Sequence, residues 1–371
     1  MRPALAQTGG SSAPAGPRMA AFVSPHGFGH AARSSAVMAE VRRRSGATFD
    51  VFTTVPEWFF EESIRGSFRY HEVVVDVGFR QRSALEVDLA ATVAALRTHL
   101  PFDAGLVREL AGTVRAAGCR AVLCDISALG VAVAEEAGLP SVLVENFTWP
   151  WLYEPLFAEV PELETMAAEI DRWTDRATVR VQARPVCERR SGNELVDPIS
   201  RPAQLLRAEA RAALGIDGDR PVVVVTMGGY GEDLPFLDRL RGIPETTFII
   251  TGASHTSPDR NLRLFDNNTP LFMPHVLGAS DAVIAKLGYG IVSEVWSEGV
   301  PFGHVTRPDS REMISLESFA AEELSGFLIT RDEFANGAWI DRLPDLLSMT
   351  RRPHLGGGAG RVAEVLLEVV G

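Results

Sequence analysis

Short apolar runs rich in β-branched residues alternate with amphipathic segments from residue 19 to the end of this chain. In the first half the runs with the composition of buried strands are AAFVS, FDVFTTV, RYHEVVVD, RAVLCD, PSVLVENF and ATVRVQ. In the second half they are PVVVVTM, TTFIITG, PLFMP, DAVIAK, PFGHVT and GFLIT. Helical patterns, such as residues 85–117 and 130–137, fill the gaps. Strands that alternate with helices in this way predict parallel sheets covered by helices on both faces.

A break in this pattern divides the chain into two predicted domains. The 371 residues exceed the size at which a single core keeps growing. Periodicity fails in the charged stretch ARPVCERRSGNELVDPISRP, which has the composition of a surface linker. We therefore predict an α/β fold of two tandem Rossmann-like domains whose parallel sheets face each other across a cleft. Its parts are a flexible tail (1–18), an N-terminal domain (19–185), a linker (186–205), a C-terminal domain (206–355) and a C-terminal helix (356–371).

Charge and cysteine content exclude several classes of partner. The formal net charge is −12 and no stripe of Lys and Arg with interleaved aromatics occurs, so nucleic acid is not an expected partner. Cys119, Cys124 and Cys187 include no CxxC pair, which favours a reducing cytoplasm over a disulfide framework or a zinc site. The tail lacks the apolar core of a secretory signal, and no run reaches the ~18 apolar residues of a membrane span. Met19 is a second candidate start residue.

The stretch SPHGFGHAAR, residues 24–33, lies where the first predicted strand turns into the first predicted helix. Gly27 and Gly29 permit a tight turn, and the free N–H groups of the helix that follows can face an anion. His30 would then stand at the mouth of the cleft. A neutral imidazole beside a carboxylate can accept a proton at pH 7. The alternative is that both histidines of this stretch only cap and pack the turn.

Asp125 is the candidate carboxylate. It ends the predicted strand RAVLCD, and ISALGVAVAEEAG follows it as a predicted helix. Because the carboxyl ends of parallel strands meet at one edge of a sheet, Asp125 can reach His30. This placement suggests a dyad of His30 and Asp125. The competing interpretation is that Asp125 only helps Ser127 and its neighbours to cap the helix.

A second glycine-rich cluster follows the predicted strand DAVIA. Gly288 and Gly290 permit a turn into a helix whose first N–H groups can hold a diphosphate. Glu294 lies one turn inside this helix, where it can accept hydrogen bonds from ribose hydroxyls. The loop TMGGYG, after the first strand of the second domain, either approaches the same phosphates or only permits close packing. The predicted binding residues of this half are Gly228, Gly229, Lys286, Gly288, Tyr289, Gly290, Ser293, Glu294, Arg311 and Glu312.

These clusters resemble those of the GT-B glycosyltransferases. SEVWSEGVPFGHVTRPDSRE is similar to their donor-binding stretch, in which the Ser-Glu pair and the following Gly-x-Pro belong to the nucleotide-sugar site. The resemblance implies that Glu294 binds ribose, that His30 acts as general base and that Asp125 orients it. Arg311 and Glu312 replace the usual Gln and Asn-Ala pattern, which leaves recognition of the donor sugar open.

A narrower resemblance covers nearly the whole chain from residue 19. PHGFGHAAR, VVVDVGFRQRSALEVD, VENFTWPWLYE and KLGYGIVSEV are similar to segments of the glycosyltransferase-like N-terminal region of L-arabinokinases and their bacterial stand-alone relatives. We expect His26, Gly27 and Gly29 of the first segment to line the substrate site. His26 is an additional histidine relative to the wider superfamily and has no assigned role.

Together these inferences predict a cytoplasmic, metal-independent glycosyltransferase. It would move a hexose-type unit from a nucleoside diphosphate sugar, with UDP the expected nucleotide, to an acceptor hydroxyl and would need no cofactor besides that donor. One alternative is a non-catalytic GT-B module that binds a nucleotide sugar in sugar metabolism, and another is a nucleotide-sugar epimerase. The sequence leaves open the acceptor, the donor base and sugar, inversion or retention, and the oligomeric state.

Overall fold

The computed structural model describes residues 16–83, 86–216, 218–228, 234–253, 257–259, 261–266, 271–307, 310–354 and 356–371. Positions 1–15 of the predicted tail, and the predicted binding residue Gly229, lie outside these ranges. Arg18, the last residue of that tail, begins the first strand. Among the described residues, no helix has both the length and the apolar character needed to cross a membrane.

The first half of the chain is built on a parallel sheet. Its strands are β1 (Arg18–Val23), β2 (Thr48–Thr53), β3 (Phe68–Glu72), β4 (Gln81–Ser83), β5 (Glu86–Val87), β6 (Cys119–Asp125), β7 (Ser141–Glu145), β8 (Val179–Ala183) and β9 (Glu194–Val196). Its helices are α1 (Phe28–Ser45), α2 (Trp58–Ile64), α3 (Leu89–His99), α4 (Ala104–Ala116), α5 (Ala128–Ala137), α6 (Trp149–Tyr153) and α7 (Glu162–Thr174). The sheet order is β3-β2-β1-β6-β7-β8-β9 with every pair parallel, and β4 and β5 form a separate antiparallel pair.

The second half repeats this plan. Its strands are β10 (Val222–Thr226), β11 (Thr247–Thr251), β12 (Ser257–Asp259), β13 (Leu262–Phe265), β14 (Ala282–Lys286), β15 (Phe302–Val305) and β16 (Gly326–Ile329). Its helices are α8 (Arg207–Ala213), α9 (Leu237–Arg241), α10 (Met273–Ala279), α11 (Tyr289–Glu298), α12 (Met313–Glu323), α13 (Arg331–Asn336), α14 (Leu343–Ser348) and α15 (Gly358–Val370). The sheet order is β12-β13-β11-β10-β14-β15-β16, and β12 is its antiparallel strand. The predicted pair of Rossmann-like sheets is confirmed.

The central strands of both sheets are buried on both faces. Successive side chains of a strand point to opposite sides. In β1, Met19 and Ala21 join one hydrophobic cluster, whereas Ala20 and Phe22 join another on the opposite face. The valines of β10 divide between two further clusters in the same way. Each sheet is therefore the middle layer of three, and its strand ends are left free to form a site.

The end of the chain returns to the first half. α15 packs on α1, and its Val362, Val365 and Leu366 belong to the core of the first half. Within the predicted linker, residues 194–196 form β9 at the edge of the first sheet. The two halves are consequently joined twice, by the segment before α8 and by the segment before α15.

Two local predictions were wrong. The predicted strand PLFMP is not a strand at its described residues, since Met273 begins α10 and Pro274 fits the first turn of that helix. The predicted helix over residues 85–117 is two helices, α3 and α4. Pro101 cannot continue the helical hydrogen bonds, and the Asp103 side chain caps α4 by accepting from the backbone N–H of Leu106.

Candidate active site

The carboxyl ends of both sheets open onto one cavity of about 1460 Å³. Pockets for a single small molecule measure about 300–1,000 Å³, so this cavity has room for two substrates. The predicted site residues that line it are His26, Gly27, Gly29, His30, Gly228, Lys286, Gly288, Tyr289, Gly290, Ser293, Glu294, Arg311 and Glu312. Asp125 does not line it and lies buried behind His30.

His30 and Asp125 are in direct contact. The imidazole Nδ1 lies 2.6 Å from Asp125 Oδ1. His30 belongs to the first turn of α1, which begins after Gly27, a residue with a φ of 79°. Ile126, directly after Asp125, has a φ of 44°, in the left-handed region that β-branched residues avoid. Strained backbone of this kind concentrates at functional sites, and here it stands beside the dyad.

Three further donors surround the Asp125 carboxylate. Arg33 donates from Nε to Oδ2 at 2.8 Å and from Nη2 to Oδ1 at 2.7 Å. Ser34 Oγ donates to Oδ2 at 3.0 Å. Burial raises the pKa of Asp125, but Arg33 and His30 outweigh burial and lower that pKa to about 2. Asp125 is therefore ionised at neutral pH and only accepts hydrogen bonds.

The ionised carboxylate decides which imidazole nitrogen carries the proton. Because Asp125 can only accept, the His30 Nδ1–H must donate to it. Arg33 Nη2 also lies 3.2 Å from Nδ1, but Nη2 donates its hydrogen bond to Asp125 Oδ1. Neutral His30 then keeps a lone pair on Nε2, and its ring lines the cavity. This arrangement can take a proton from a hydroxyl group bound there.

A pair of glycines brings the two halves into backbone contact. A Cβ atom added to Gly290 would lie 2.8 Å from Gly29 Cα, and one added to Gly29 would lie 3.3 Å from Gly290 N. Carbon atoms in contact are normally about 3.5–4.0 Å apart, so a side chain at position 290 does not fit. The first turns of α1 and α11 therefore meet directly beside His30.

The start of α11 is suited to an anion. Gly288 precedes its first helical residue, and no acidic residue occurs in its first turn. Gly288, Tyr289 and Gly290 all line the cavity. Lys286 ends β14 just before this turn, with its Nζ beside Gly228. Free N–H groups at a helix start together with an ammonium group favour a phosphate.

Known proteins share this architecture, although no family model matches the chain. An L-arabinokinase of Arabidopsis thaliana is 27% identical over 364 residues, which cover 94% of this chain and 34% of the plant protein. The chain thus spans about a third of that relative's length. The solved glycotransferase of kitacinnamycin has a TM-score of 0.64 at 15% identity and covers 96% of this chain and 100% of its own. LpCGTa, solved in complex with UDP, has a TM-score of 0.59 at 14% identity and covers 96% and 99%.

Two Rossmann-like sheets that face one cleft are the arrangement that these solved structures share with the chain. The chain has the GT-B fold. The fold that the resemblance of the two glycine-rich clusters implies is confirmed. The roles of individual residues in the GT-B cleft stay predictions.

In this GT-B cleft the predicted ribose ligand has a protein partner. Glu294 Oε1 accepts a hydrogen bond from Arg201 Nη2 at 3.3 Å, and both side chains are buried. Burial raises the pKa of Glu294, while Arg201 lowers it. Sequence reasoning missed Arg201, because it lies in the predicted linker and no motif marks it. The two residues meet only because the segment before α8 runs past α11.

Arg311 and Glu312, which replace the usual GT-B pattern, are engaged with other residues. Arg311 Nη1 donates to Glu154 Oε2 at 2.5 Å. Its guanidinium carbon lies 4.1 Å from the ring centre of Trp151. Glu312 pairs with Arg307. Arg311 therefore connects the second GT-B half to α6 of the first half, across the cavity that both line.

Asp76 is a cavity residue that sequence reasoning also missed. Its carboxylate accepts from Ser24 Oγ at 3.0 Å and from Trp149 Nε1 at 3.2 Å. Burial raises the pKa of Asp76 to about 6, although the nearby His30 opposes this rise. His26 lies edge-on to Trp149, with ring centres 5.0 Å apart, and burial together with His30 lowers its pKa to about 3. The signal was available, since the run VVVD ends in Asp as RAVLCD does.

A metal site was not predicted, and the structure describes none. In the ranges it covers, no group of three or more His, Cys, Asp or Glu side chains could hold a metal ion. The cationic groups near the start of α11 include Lys286 and Arg307, which both line the cavity. Metal independence stays a prediction.

Proposed function

We propose that this protein is a glycosyltransferase that moves a sugar from a UDP-linked donor to an acceptor hydroxyl without a metal ion or further cofactor. One observation carries the proposal: a single cavity contains both the His30 ring, bonded to Asp125, and the start of α11. The glycosyltransferase structures with the same fold support it, and LpCGTa was solved with UDP. Three free cysteines support a cytoplasmic location.

In this reaction the acceptor hydroxyl gives its proton to His30 Nε2 while its oxygen forms a bond to the anomeric carbon of the donor sugar. The bond between that carbon and the diphosphate oxygen breaks, and the diphosphate leaves with the electron pair. Asp125 stabilises the imidazolium ion that results. The first N–H groups of α11, with Lys286 and Arg307, stabilise the negative charge of the departing diphosphate. Direct attack of this kind inverts the anomeric carbon.

The remaining predicted residues bind the donor in this proposal. Glu294 accepts hydrogen bonds from the ribose hydroxyls, with Ser293 beside it. Gly228 and Gly288 let the backbone approach the phosphates closely. We propose that Arg311 and Glu312, at the junction of the two halves, contact the transferred sugar.

The test measures release of free nucleoside diphosphate from a panel of nucleotide sugars, with and without candidate acceptors. His30→Ala should lower acceptor-dependent release by about 10²–10⁴-fold and leave donor binding nearly unchanged. His71→Ala is the matched control, because His71 Nε2 also bonds a buried carboxylate, Asp50 Oδ1 at 2.8 Å, and neither residue is among the described residues that line the cavity. Full turnover by His30→Ala would eliminate His30 as the base.

The same measurements separate the binding-module alternative. A non-catalytic GT-B module would show saturable thermal stabilisation by a nucleotide sugar but no acceptor-dependent release with any acceptor. A transferase shows both. Release that needs a donor but no acceptor would indicate hydrolysis or elimination and would refute transfer.

A further inference from the structure

Arg201 is a buried guanidinium at the junction of the two halves. It lies in the segment between β9 and α8, and its side chain is 4% exposed. Its guanidinium carbon is 4.5 Å from the ring centre of Phe59, in α2 of the first half. It is 4.8 Å from that of Phe272, directly before α10 of the second half. Planar guanidinium groups stack well on aromatic faces, so one ring from each half holds Arg201 in place.

Most of the hydrogen-bonding capacity of Arg201 is unused. Nη2 donates to Glu294 Oε1 at 3.3 Å, whereas a charge-assisted bond normally measures about 2.7–2.9 Å. Nε and Nη1 are buried and have no hydrogen-bond partner in the described part of the chain. Buried donors without partners cost free energy. Arg201 also lines the cavity, so oxygen acceptors of a bound molecule would satisfy these donors once a small shift of the guanidinium brings them to the cavity surface.

Arg201 and Glu294 together match one kind of ligand group. A carboxylate only accepts hydrogen bonds and a guanidinium only donates them, whereas a hydroxyl group does both. Two neighbouring hydroxyls can therefore donate to Glu294 and accept from Arg201 at the same time. Arg201 also helps Glu294 to stay ionised, since burial alone raises the pKa of Glu294.

We infer that Arg201 is a positioning residue for the donor nucleotide: it orients the Glu294 carboxylate and donates its remaining N–H groups, so that the pair binds the vicinal hydroxyls of ribose. This inference rests on the proposed nucleotide-sugar site and deepens it. The stacking on Phe59 gives it a second consequence. Because a side chain held by both halves contacts the ribose, donor binding favours the arrangement in which Gly29 meets Gly290.

The test measures binding rather than turnover. UDP and 2′,3′-dideoxy-UDP are titrated by calorimetry into the full chain and into Arg201→Met, with thermal unfolding as the check that the variant is folded. The wild-type chain should bind UDP about tenfold or more tightly than the dideoxy compound. In Arg201→Met the ratio of the affinity for UDP to the affinity for the dideoxy compound should fall to about one. The affinity for the dideoxy compound itself should stay within about twofold of wild type.

A second variant separates positioning from a purely structural role. Arg201→Lys keeps the charge beside Glu294 without the planar fork, so its ratio should lie between those of wild type and Arg201→Met. It also provides the readout if Arg201→Met does not fold. A structural role alone would weaken binding of both nucleotides equally and leave the ratio unchanged.

Arg184→Met is the matched control. Arg184 also joins the two halves, since its Nη2 donates to Glu323 Oε1 at 2.6 Å and its guanidinium carbon lies 5.3 Å from the Phe319 ring centre. It is not among the described residues that line the cavity, so its ratio should equal that of wild type. A wild-type ratio in Arg201→Met or Arg201→Lys overturns the inference about Arg201 alone. Failure of the wild-type chain to bind UDP refutes the proposed nucleotide-sugar site instead.

Discussion

Replacing Gly290 by alanine tests whether the backbone contact between the halves belongs to the active arrangement. A Cβ at this position would lie 2.8 Å from Gly29 Cα. Carbon atoms normally stay about 3.5–4.0 Å apart. The Cα of Gly29 is a backbone atom, and the Cβ is fixed to the backbone, so neither can rotate away. The first turns of α1 and α11 must therefore separate by about 1 Å for the methyl group to fit.

This separation should lower catalysis much more than stability. His30 moves with α1 and the proposed diphosphate site moves with α11, and a misplacement of about 1 Å between reacting groups costs on the order of 100-fold in rate. We expect kcat/KM for acceptor-dependent transfer to fall by about that factor. Alanine is better than glycine in a helix by about 0.5–1 kcal/mol, so the urea midpoint of unfolding should not fall. UDP affinity should fall less than kcat/KM does, because position 290 keeps its N–H group although the contact that donor binding favours is lost.

Alanine variants of two other glycines provide reference values of kcat/KM. Gly112, in α4, has nothing within 4 Å of an added Cβ, so Gly112→Ala should leave kcat/KM at the wild-type value. Gly29→Ala should fall between the two, because its Cβ would lie 3.3 Å from Gly290 N and needs a smaller shift. A Gly290→Ala protein as active as Gly112→Ala would show that catalysis does not require this contact, and the steric reasoning would be refuted.

Buried groups give three more expected outcomes. Asp125→Asn should lower the free energy of unfolding by about 3–5 kcal/mol in urea at pH 7, because Arg33 is left buried without its carboxylate; an unchanged value would contradict this. Burial raises the pKa of Asp76 to about 6, so the folded state keeps a proton that the unfolded state has lost. Relative to Asp76→Asn, the wild-type free energy of unfolding should therefore fall by about 3 kcal/mol as the pH rises from about 4 to above about 6. If the free energies of unfolding of the two proteins changed in parallel with pH, the raised pKa of Asp76 would be excluded. Leu366→Ala should cost about 2–5 kcal/mol in the same urea assay if α15 is docked on the core of the first half, where Leu366 is fully buried.

The central strands could be predicted because burial on both faces leaves them little choice of residue. β1 and β10 are almost entirely apolar, and each is followed by a glycine-containing turn. In a parallel sheet the carboxyl ends share one edge, and that rule alone places Asp125 near His30. Their contact at 2.6 Å lies where the rule puts it, while their catalytic roles stay predictions.

Strands at the edge of a sheet and contacts between distant segments of the chain could not be predicted in this way. β9 has three residues in a charged segment and pairs with β8 through backbone groups, so no side-chain pattern marks it. The apolar stripe of α15 predicts a helix, but it does not say which core the helix joins. PLFMP fits a strand or a helix by composition, and the place of Pro274 in a first turn favoured the helix.

The residues that couple the two halves escaped prediction for a related physical reason. Arg201 and Glu294 are 93 positions apart and meet only after both sheets have formed. Gly29 and Gly290 were interpreted as turn residues that expose N–H groups, and the structure adds that their missing Cβ atoms let α1 approach α11. A chain that kept His30 and Asp125 but carried a side chain at position 290 would retain every group of the proposed mechanism. It would still hold the proposed base and the proposed diphosphate site too far apart to act on one pair of substrates.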